Sequence, residues 1–345
     1  MQLTQEQQEI LAGSRGETMA KVMETLVRYG ELYHADAMIP VTGKYNHLVT
    51  SFGLKALTPV YELMDQLIAE GAVSGVKFSA DPRPLDKNVP SSFLQNLIFK
   101  HFMYSRQDFY EGQLQSLGLM DKDAFTCTCY MEEVGNTPRP GDVLSWSESS
   151  AVVYANSVLA ARCNRNSGII DLMGAVCGFV PRFGLLTDEG RKAKWIVDIR
   201  TTKRPEAQLL GSAIGMKVME DVPYIRGLDR WLGTLDEDAR AYLKDMGAAA
   251  ASNGAVSLYH VVVIPTVFTA APAVIRRFNE TPYAERLRRT GVIVSYICPL
   301  MYMNNPLSER MPVITSSNKL RTYTSARYYT DDENLAQITK GGDRA

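Results

Sequence analysis

Apolar and polar residues follow two different periods along this chain, and the two periods predict helices and strands in turn. Leu63, Leu67 and Ile68 recur at the spacing of one helical face. Short apolar runs such as VKFSA and WIVDIR are typical of buried strands. Because the predicted strands alternate with the predicted helices, the pattern indicates an α/β fold with a mainly parallel sheet.

Most of the chain belongs to such elements. Thr4 and Gln7 resemble a capping box at the start of a helix that Gly13 and Gly16 can interrupt. Further helices are predicted in TPVYELMDQLIAEGA, SSFLQNLIFKHF, AQLLGSAIGMKVMED, LDEDARAYLKDMGAAAASNG and PAVIRRFNETPYAERLRRTG. Strands are predicted in AMIPV, VKFSA, WIVDIR, VSLYHVVVIP and GVIVSYICPL. The chain has no internal repeat and no low-complexity linker, so we expect one large domain, or two or more intimate α/β lobes, over residues 1–345.

Composition narrows the class of function. The 345 residues include 37 basic and 38 acidic side chains, so no net basic field attracts nucleic acid or an anionic membrane. The N-terminus has neither the basic start nor the apolar core of a signal peptide. The most apolar stretch, residues 256–275, contains His260, Pro265 and Pro272, which argues against a membrane span. We therefore expect a soluble, cytoplasmic protein.

The densest run of polar side chains lies in an otherwise apolar segment, residues 144–165. It contains Ser147, Glu148, Ser149, Ser150, Asn156, Ser157, Arg162, Asn164 and Arg165. Ser149 or Ser150 is expected to cap a helix, whose first N–H groups could hold a carboxylate or a phosphate. If that helix is unbroken, Asn164 shares a face with the serines, and Arg162 and Arg165 can grip an anion. The alternative is a helix cap with two arginines that bind their own helix C-terminus.

Two further segments are candidates for substrate binding. One follows a strand-like stretch, as in the anion sites of parallel sheets, and contains Ser316, Ser317, Asn318, Lys319 and Arg321. An ordinary capped helix is the alternative there. Among the four histidines, we expect His47 to belong to a site, in a loop with the sequence VTGKYNHLVTS. The chain has no GxxxxGK[ST], HExxH or GxSxG motif, and no GxGxxG between a strand and a helix.

The five cysteines are too few, and odd in number, for a secreted disulfide framework. In a reducing compartment they are buried thiols, a catalytic thiol or metal ligands. Cys127 and Cys298 each end a strand-like segment beside a turn rich in Ser, Asn or Arg, which suggests one shared site. Thiolates that converge from separate loops can hold an iron–sulfur cluster.

Three segments together resemble the large, catalytic chain of aconitase X. They are MQLTQEQQEILAGSRGE at the start, CTCY…GNTPRPGDVLSWSESSAVVYANSVLAARCNR in the centre, and ICPLMYMNNPL…VITSSNKLRTYTSARYY near the end. The resemblance implies an aconitase-like fold of three-layer αβα units with mainly parallel sheets. It also implies a small swivelling domain, absent from this chain, as a partner subunit.

The resemblance also implies an activity, because members of this family are hydro-lyases that act on small hydroxy acids. We expect dehydration of cis-3-hydroxy-L-proline to Δ1-pyrroline-2-carboxylate, with mevalonate 5-phosphate as the second choice because the composition is near neutral. Ser147, Glu148, Ser149 and Ser150 are assigned to catalysis, although the proton-abstracting serine can belong to the small domain. The residues assigned to substrate binding are His47, Asn156, Ser157, Arg162, Asn164, Arg165, Ser316, Ser317, Asn318 and Lys319.

The expected cofactor is an iron–sulfur cluster, and Cys127 and Cys298 match the family's cluster cysteines. A third family cysteine is expected after SSNKLRTY but is missing, and Cys129 stands where the family usually has proline. The third ligand is then Cys129, Cys163 or Cys177, a side chain other than cysteine, or none. In the last case a single iron or other divalent metal, a differently ligated cluster, or no metal is expected.

Two other functions stay open at the level of sequence. The first is a metal-independent lyase or isomerase in which Cys127 or Cys129 acts as acid or base. The second is a non-catalytic subunit that binds a small acid or scaffolds its partner. Both share the predicted fold, so the sequence alone does not choose between them.

Overall fold

The computed structural model describes residues 1–49, 54–84, 92–232, 235–261, 267–284, 293–295, 313–316, 321 and 326–334. The chain divides into two compact units. The first unit comprises Met1–Leu228 and Leu235–Val262, and the second comprises Asp229–Thr234 and Val263–Ala345. Within the described residues, no helix has both the length and the apolar character needed to cross a membrane.

The helices are α1 (Gln5–Leu11), α2 (Glu17–Leu32), α3 (Thr58–Ala69), α4 (Phe93–Ile98), α5 (Gln107–Leu117), α6 (Ser149–Ser157), α7 (Gly168–Cys177), α8 (Ala207–Val218), α9 (Glu237–Gly254) and α10 (Pro272–Asn279). The strands are β1 (Met38–Pro40), β2 (Asn46–Leu48), β3 (Phe78–Ala80), β4 (Val143–Leu144), β5 (Arg162–Cys163), β6 (Phe179–Pro181), β7 (Trp195–Asp198), β8 (Pro223–Arg226), β9 (His260–Val261), β10 (Val267–Thr269), β11 (Ile293–Ser295), β12 (Ile314–Thr315) and β13 (Arg327–Tyr328).

The N-terminal helical region agrees with its sequence. The side chain of Thr4 accepts the N–H of Gln7 at 3.3 Å, and the Gln7 side chain accepts the N–H of Thr4 at 2.9 Å, so the predicted capping box is confirmed. The predicted helix is divided into α1 and α2 where Gly13 and Gly16 adopt φ of 92° and 99°. Such a left-handed backbone favours glycine because glycine lacks a Cβ.

A parallel arrangement of five segments organises the first unit. His47 of β2 lies opposite Ser79 of β3, and Trp146, just after β4, lies opposite His47 on the other side. β4 pairs with β5, while Leu119 and Phe125 bridge to the outer side of β3. The spatial order is therefore the third, second, first, fourth and fifth segment along the chain. This order places a topological switch point between β2 and β4, where open α/β sheets bind their ligands.

Helices cover this sheet and supply its core. α3 links β2 to β3, α5 follows β3, and α6 links β4 to β5, as parallel strands require. Fully buried side chains from these layers form one large cluster, with Met23 and Leu26 from α2, Tyr61 and Met64 from α3, and Phe78 from β3. Burial of each such side chain stabilises the fold by about 1.5–3 kcal/mol before entropy is counted.

A second parallel sheet of the first unit has the order β7-β8-β9, and α8 and α9 pack closely on each other beside it. β1 and β6 form the antiparallel pair among the described strands. In the second unit, β10 pairs in parallel with β11, and β12 with β13. The α/β prediction with mainly parallel pairing is confirmed.

Candidate active site

Polar side chains collect at the carboxyl ends of the five parallel segments. Because all five run in the same direction, the residues that follow them lie along one edge of the sheet. The residues that follow the five segments are Val49, Asp81, Cys127, Ser147, Glu148, Asn164 and Arg165, of which Val49 is apolar. The edge is charged on both sides of the switch point, with Asp81 beyond β3, Glu148 beyond Trp146 and Arg165 beyond β5.

Ser147 lies at the switch point and connects its two sides. Its hydroxyl oxygen accepts the N–H of Val49 at 2.9 Å, and its own N–H donates to the carbonyl oxygen of His47 at 3.1 Å. Ser147 is buried, with 7% of its surface exposed. In this conformation Ser147 holds β2 and the end of the fourth segment together.

Glu148, rather than Ser149 or Ser150, caps α6. Its carboxylate accepts the N–H groups of Ser150 and Ala151 at 3.0 and 2.5 Å and the hydroxyls of Ser149 and Ser150 at 3.3 and 2.7 Å. The prediction of a serine cap with free N–H groups is therefore wrong. The longer glutamate side chain can reach back over the first turn, and it occupies the place in which a ligand anion was expected.

α6 ends at Ser157, so the expected unbroken helix to Asn164 is also wrong. Ala160 takes a φ of 57°, and the chain then enters β5. The amide of Asn156 donates to the carbonyl oxygens of Cys163 and Ser257, both at 2.9 Å. The hydroxyl oxygen of Ser157 accepts the N–H of Tyr259 at 3.0 Å. These two side chains hold α6 against β5 and the segment before β9.

Asn164 follows β5 and also makes structural contacts. Its amide donates to the carbonyl oxygen of Phe183 at 2.9 Å, and its side-chain oxygen accepts the N–H of Leu185 at 2.8 Å. A Cβ added at Gly184 would clash with the same oxygen, and Gly184 has a φ of 53°. Asn164 thus fixes a tight turn whose glycine cannot be replaced without strain.

The two arginines do not lie on α6, which contradicts the prediction that they grip an anion at its end. Arg162 is paired with the carboxylate of Asp188 and donates to the carbonyl oxygen of Leu186 at 3.3 Å. Arg165 donates to the carbonyl oxygen of Ala255 at 3.3 Å. Burial lowers the pKa of Arg165, and the charge of Glu148 opposes that shift, so Arg165 is within electrostatic reach of the site edge.

His47 lies on strand β2, not in the loop that the sequence suggested, and its side chain is fully buried. Its Nδ1 is 2.9 Å from the hydroxyl of Ser79. Its Nε2 is 3.1 Å from Oδ1 of Asp81, close enough for an ion pair but not aligned as a hydrogen bond. The imidazole is buried in this conformation, and the assignment of His47 to substrate binding stays a prediction.

Asp81 and Ser79 are site residues that sequence reasoning did not single out, and Asn136 of a Gly-Asn turn bonds to Ser79. Asn136 is 1% exposed and donates to Asn46 carbonyl oxygen at 3.2 Å and to Ser79 Oγ at 3.3 Å. Gly135 precedes it with a φ of 80°, which turns the chain inward. The Gly-Asn dipeptide carried a turn signal, but nothing local indicated a pairing of Asp81 with His47, 34 positions earlier.

The described cysteines are free thiols that differ in accessibility. Cys127 is exposed, whereas Cys129, Cys163 and Cys177 are buried. Burial, together with the charges of Asp81 and Glu148, raises the pKa of Cys127. Burial raises the pKa of Cys129 more strongly, and the same two carboxylates add to it. Cys127 is therefore the accessible thiol at this edge.

The described residues do not complete a metal site on their own. No group of three His, Cys, Asp or Glu side chains within the described ranges is placed to bind one ion. Cys127 is exposed and Cys129 is buried, and the assignment of both as metal ligands stays a prediction. Cys298, Ser317, Asn318 and Lys319 lie outside the described residues, and Ser316 is exposed.

A cleft of about 400 Å³ opens beside the end of β5. Tyr33 and Phe183 stack in its lining with ring centroids 4.8 Å apart, and Tyr29 packs on both rings. This volume is that of a small-molecule pocket. The cleft is thus a place where a compact ligand could contact apolar rings close to the site edge.

The polar groups of the cleft have both signs of charge. Arg165 and Lys194 provide cations, and Glu220 and Asp221 provide carboxylates. The ammonium of Lys194 is 2.8 Å from a carboxylate oxygen of Asp221, whose other oxygen accepts the indole N–H of Trp195 at 3.1 Å. The cleft therefore carries no strong net charge.

Comparison with known proteins identifies the family. Models of the aconitase X first and second domains match residues 1–189 and 193–286. The chain belongs to the aconitase X family. This aconitase X chain is 34% identical over 266 residues to a phosphomevalonate dehydratase large subunit of Thermococcus kodakarensis, an alignment that covers 76% of this chain and 61% of that protein.

Other relatives extend the comparison. The chain is 26% identical over 267 residues to a cis-3-hydroxy-L-proline dehydratase of Pseudomonas aeruginosa, which covers 74% of this chain and 42% of that protein. It spans about six-tenths of the length of the phosphomevalonate dehydratases that it matches. The crystal structure of Thermococcus kodakaraensis aconitase X in its holo-form superposes with a TM-score of 0.60 at 26% identity, covering 97% of this chain and 99% of that one. The predicted family and fold class are confirmed.

Proposed function

We propose that this aconitase X chain is the catalytic large subunit of a hydro-lyase that dehydrates a small hydroxy acid. One observation carries the proposal: the acidic, serine-rich edge lies at the topological switch point of the sheet, where such folds bind ligands. Its relatives named phosphomevalonate dehydratase and cis-3-hydroxy-L-proline dehydratase both remove water from a hydroxy acid.

The residues of the edge suit the two needs of a dehydration. An α-proton must be accepted, and the negative charge that develops on the substrate carboxylate must be stabilised. Asp81 supplies a carboxylate, and the hydroxyls of Ser149 and Ser150 supply donors if Glu148 releases them. Arg165, within electrostatic reach of Glu148, supplies a cation for the substrate carboxylate.

The cofactor and the partner remain part of the proposal. The iron–sulfur cluster, or a single divalent metal, stays a prediction, with Cys127 as its accessible ligand among the described residues. The relatives named "large subunit" support a small subunit as the partner. That subunit is expected to be needed for turnover, since the proton-abstracting group can belong to it.

Charge favours cis-3-hydroxy-L-proline as the substrate. At the edge, the two carboxylates of Asp81 and Glu148 outnumber the guanidinium of Arg165, so they attract the secondary ammonium of an imino acid and repel a phosphate. A specific observation favours the second candidate, mevalonate 5-phosphate. Five relatives of 31–35% identity are phosphomevalonate dehydratases, whereas the cis-3-hydroxy-L-proline dehydratase of Pseudomonas aeruginosa is 26% identical.

One experiment separates these proposals. The chain is co-purified anaerobically with its small subunit, its iron and sulfide are measured, and each acid is offered with and without a chelator. Loss of turnover on chelation supports the metal enzyme, and turnover that survives chelation but not thiol alkylation supports a metal-independent lyase. No turnover of either acid, together with tight binding of one, would establish a binding subunit instead.

A further inference from the structure

An apolar helical segment of the first unit is exposed to solvent. Ser92 caps α4, since its side chain accepts the N–H of Gln95 at 3.3 Å, and a π-helical turn, Phe99–Met103, continues α4. No side chain between residues 93 and 103 is buried. Seven of these residues are large and apolar, with exposed fractions between 37% and 84%. They form the α4 surface and are Phe93, Leu94, Leu97, Ile98, Phe99, Phe102 and Met103.

The α4 surface is too apolar and too large for a protein that acts alone. At about 100° per residue, Phe93, Leu94 and Phe99 lie on three different sides of the helix. A helix that is apolar all round is normally buried. At roughly 200 Å² for each fully exposed large side chain, the α4 surface presents about 700 Å². The largest patch of a typical monomer is roughly 300–600 Å², whereas one partner of a standard interface contributes roughly 800 Å².

Both ends of the connection that contains α4 are held beside the candidate active-site edge. Arg83 follows Asp81 by two residues, and its guanidinium donates to both carboxylate oxygens of Glu111 on α5 at 2.8–3.0 Å. The same guanidinium lies 3.9 Å from the ring centroid of Phe125, two residues before Cys127. Because α4 lies between Arg83 and α5 along the chain, a partner that covers α4 borders this edge.

Charge and position favour one kind of partner. Residues 93–103 include Lys100 and His101 but no acidic side chain. A second copy of this chain, bound through the same surface across a twofold axis, would bring these basic side chains together. The small subunit of the proposed function, in contrast, has to reach this edge, because the proton-abstracting group can belong to it.

We propose that the α4 surface is the docking site of the small subunit, whose matching face is an apolar groove with an acidic rim. The proposal rests on the proposed function, in which turnover needs that subunit. Leu94, Ile98 and Phe102 recur at every fourth position, the spacing at which a helix places its anchors in an apolar groove. Lys100 stands between the last two anchors and pairs with the acidic rim.

Calorimetric titration of the full-length chain with its small subunit, without substrate, tests the docking site. Leu94→Ser and Phe102→Ser should each raise Kd by about 10-fold or more, because each removes an anchor. Lys100→Glu should also raise Kd, by a factor that shrinks at high salt. The matched control is Leu209→Ser, since Leu209 on α8 is 73% exposed and Leu94 is 63% exposed.

The titration can overturn the proposal in three ways. Wild-type Kd in both Leu94→Ser and Phe102→Ser, an equal rise in Leu209→Ser, or no binding of the small subunit to the wild-type chain would each refute the docking site. The thermal unfolding midpoints of the unbound variants should equal that of the wild type, because the replaced side chains are exposed.

Hydrogen exchange locates the contact on the chain. The N–H groups of residues 93–103 should exchange rapidly in the unbound chain, since none of these residues is buried. Addition of the small subunit should slow their exchange by about 10-fold or more, while exchange in α9 stays unchanged. Protection that appears elsewhere in the chain but not in α4 would refute the docking site.

Sedimentation of the unbound chain tests the second copy. A dimer that Phe102→Ser dissociates, with binding of the small subunit unchanged, would assign the α4 surface to self-association and overturn the proposal. The outcomes for docking and for the proposed function are separate. If the variants weaken association but the wild-type complex turns over neither hydroxy acid, the dehydratase function falls and the docking site stands. If an acid is turned over and the variants keep wild-type Kd, only the docking site falls.

Discussion

The carboxylate of Glu148 accepts the backbone N–H of Ala151 at 2.5 Å and so closes the first turn of α6 on itself. This relationship assigns the glutamate of the SESS segment to helix capping in the present conformation. It also explains how Ser149 and Ser150 are held, because both hydroxyls donate to the same carboxylate. A ligand carboxylate that binds the α6 N-terminus must displace Glu148.

The cap predicts a measurable stability effect. Glu148→Ala is expected to lower the free energy of unfolding by about 1 kcal/mol, because N–H groups of the first turn lose their acceptor and the helix dipole loses a negative charge. Glu148→Gln should lose less. Urea unfolding of the two variants measures the difference. The control is Glu24→Ala, because Glu24 is exposed on α2 and its ion pair with Arg28 should contribute little to stability. An equal loss in both alanine variants would contradict the cap.

A buried acid predicts how stability depends on pH. Asp171 on α7 is fully buried and accepts hydrogen bonds from Ser145 at 2.9 Å and Asn166 at 3.0 Å, and burial raises its pKa to about 7. The folded state therefore binds more protons than the unfolded state between about pH 4 and pH 7, so the stability from this group falls as pH rises through that window. The full change is about 4 kcal/mol in order of magnitude.

Replacement of Asp171 tests this dependence. In the Asp171→Asn variant, stability should fall less as pH rises. The difference between its unfolding midpoint and that of the wild type should therefore increase in favour of the variant between pH 5 and pH 8. The control is Asp36→Asn, since Arg182 lowers the pKa of exposed Asp36. The small contribution of Asp36 to the pH dependence of stability therefore has the opposite sign. If the difference between the two unfolding midpoints stays constant over this pH range, Asp171 ionises freely in the folded protein and the prediction is wrong.

Thiol accessibility predicts selective modification. In metal-free protein, iodoacetamide should modify Cys127 and leave Cys129, Cys163 and Cys177 intact, because the latter are buried. Burial and two nearby carboxylates raise the pKa of Cys127, so alkylation at pH 8 should be slow and should accelerate toward higher pH. Asp81→Asn removes one negative charge and should speed it at pH 8. Peptide mass mapping locates the label, and labelling of Cys129 before Cys127 would refute the assignment.

Periodicity and caps predicted much of this fold, whereas the geometry of the site depends on contacts between distant residues. The capping box at Thr4 and the helix breaks at Gly13 and Gly16 are local, so the sequence was sufficient for them. The sequence predicts a loop at β2 because this strand has only three residues and two of them are polar. The pairing of His47 with Asp81 then depends on strand register, which no local pattern determines.

The difference between local patterns and contacts of distant residues also explains the wrong predictions around α6. Serine is a common cap, so SESS indicates a serine cap. In the structure the glutamate that directly precedes α6 caps it instead. The predicted extension to Asn164 followed the apolar run VVYANSVLAA, which has no proline or glycine to end it. The left-handed Ala160 and the pairing of β5 with β4 end the helix instead, and both are tertiary effects.

Glycine contacts between α8 and α9 predict a large loss of stability on substitution. A Cβ at Gly254 would overlap the carbonyl oxygen of Gly215, and a Cβ at Gly211 would overlap that of Met246. Because the obstacles are backbone atoms, no side chain can move aside, and Gly254→Ala should destabilise the protein by about 2 kcal/mol or more.

Gly112→Ala on α5 is the matched control, since nothing lies within 4 Å of its Cβ. That variant should gain up to about 1 kcal/mol because the unfolded chain loses freedom. Urea unfolding of both variants decides the matter, and equal midpoints would show that the two helices can separate without cost.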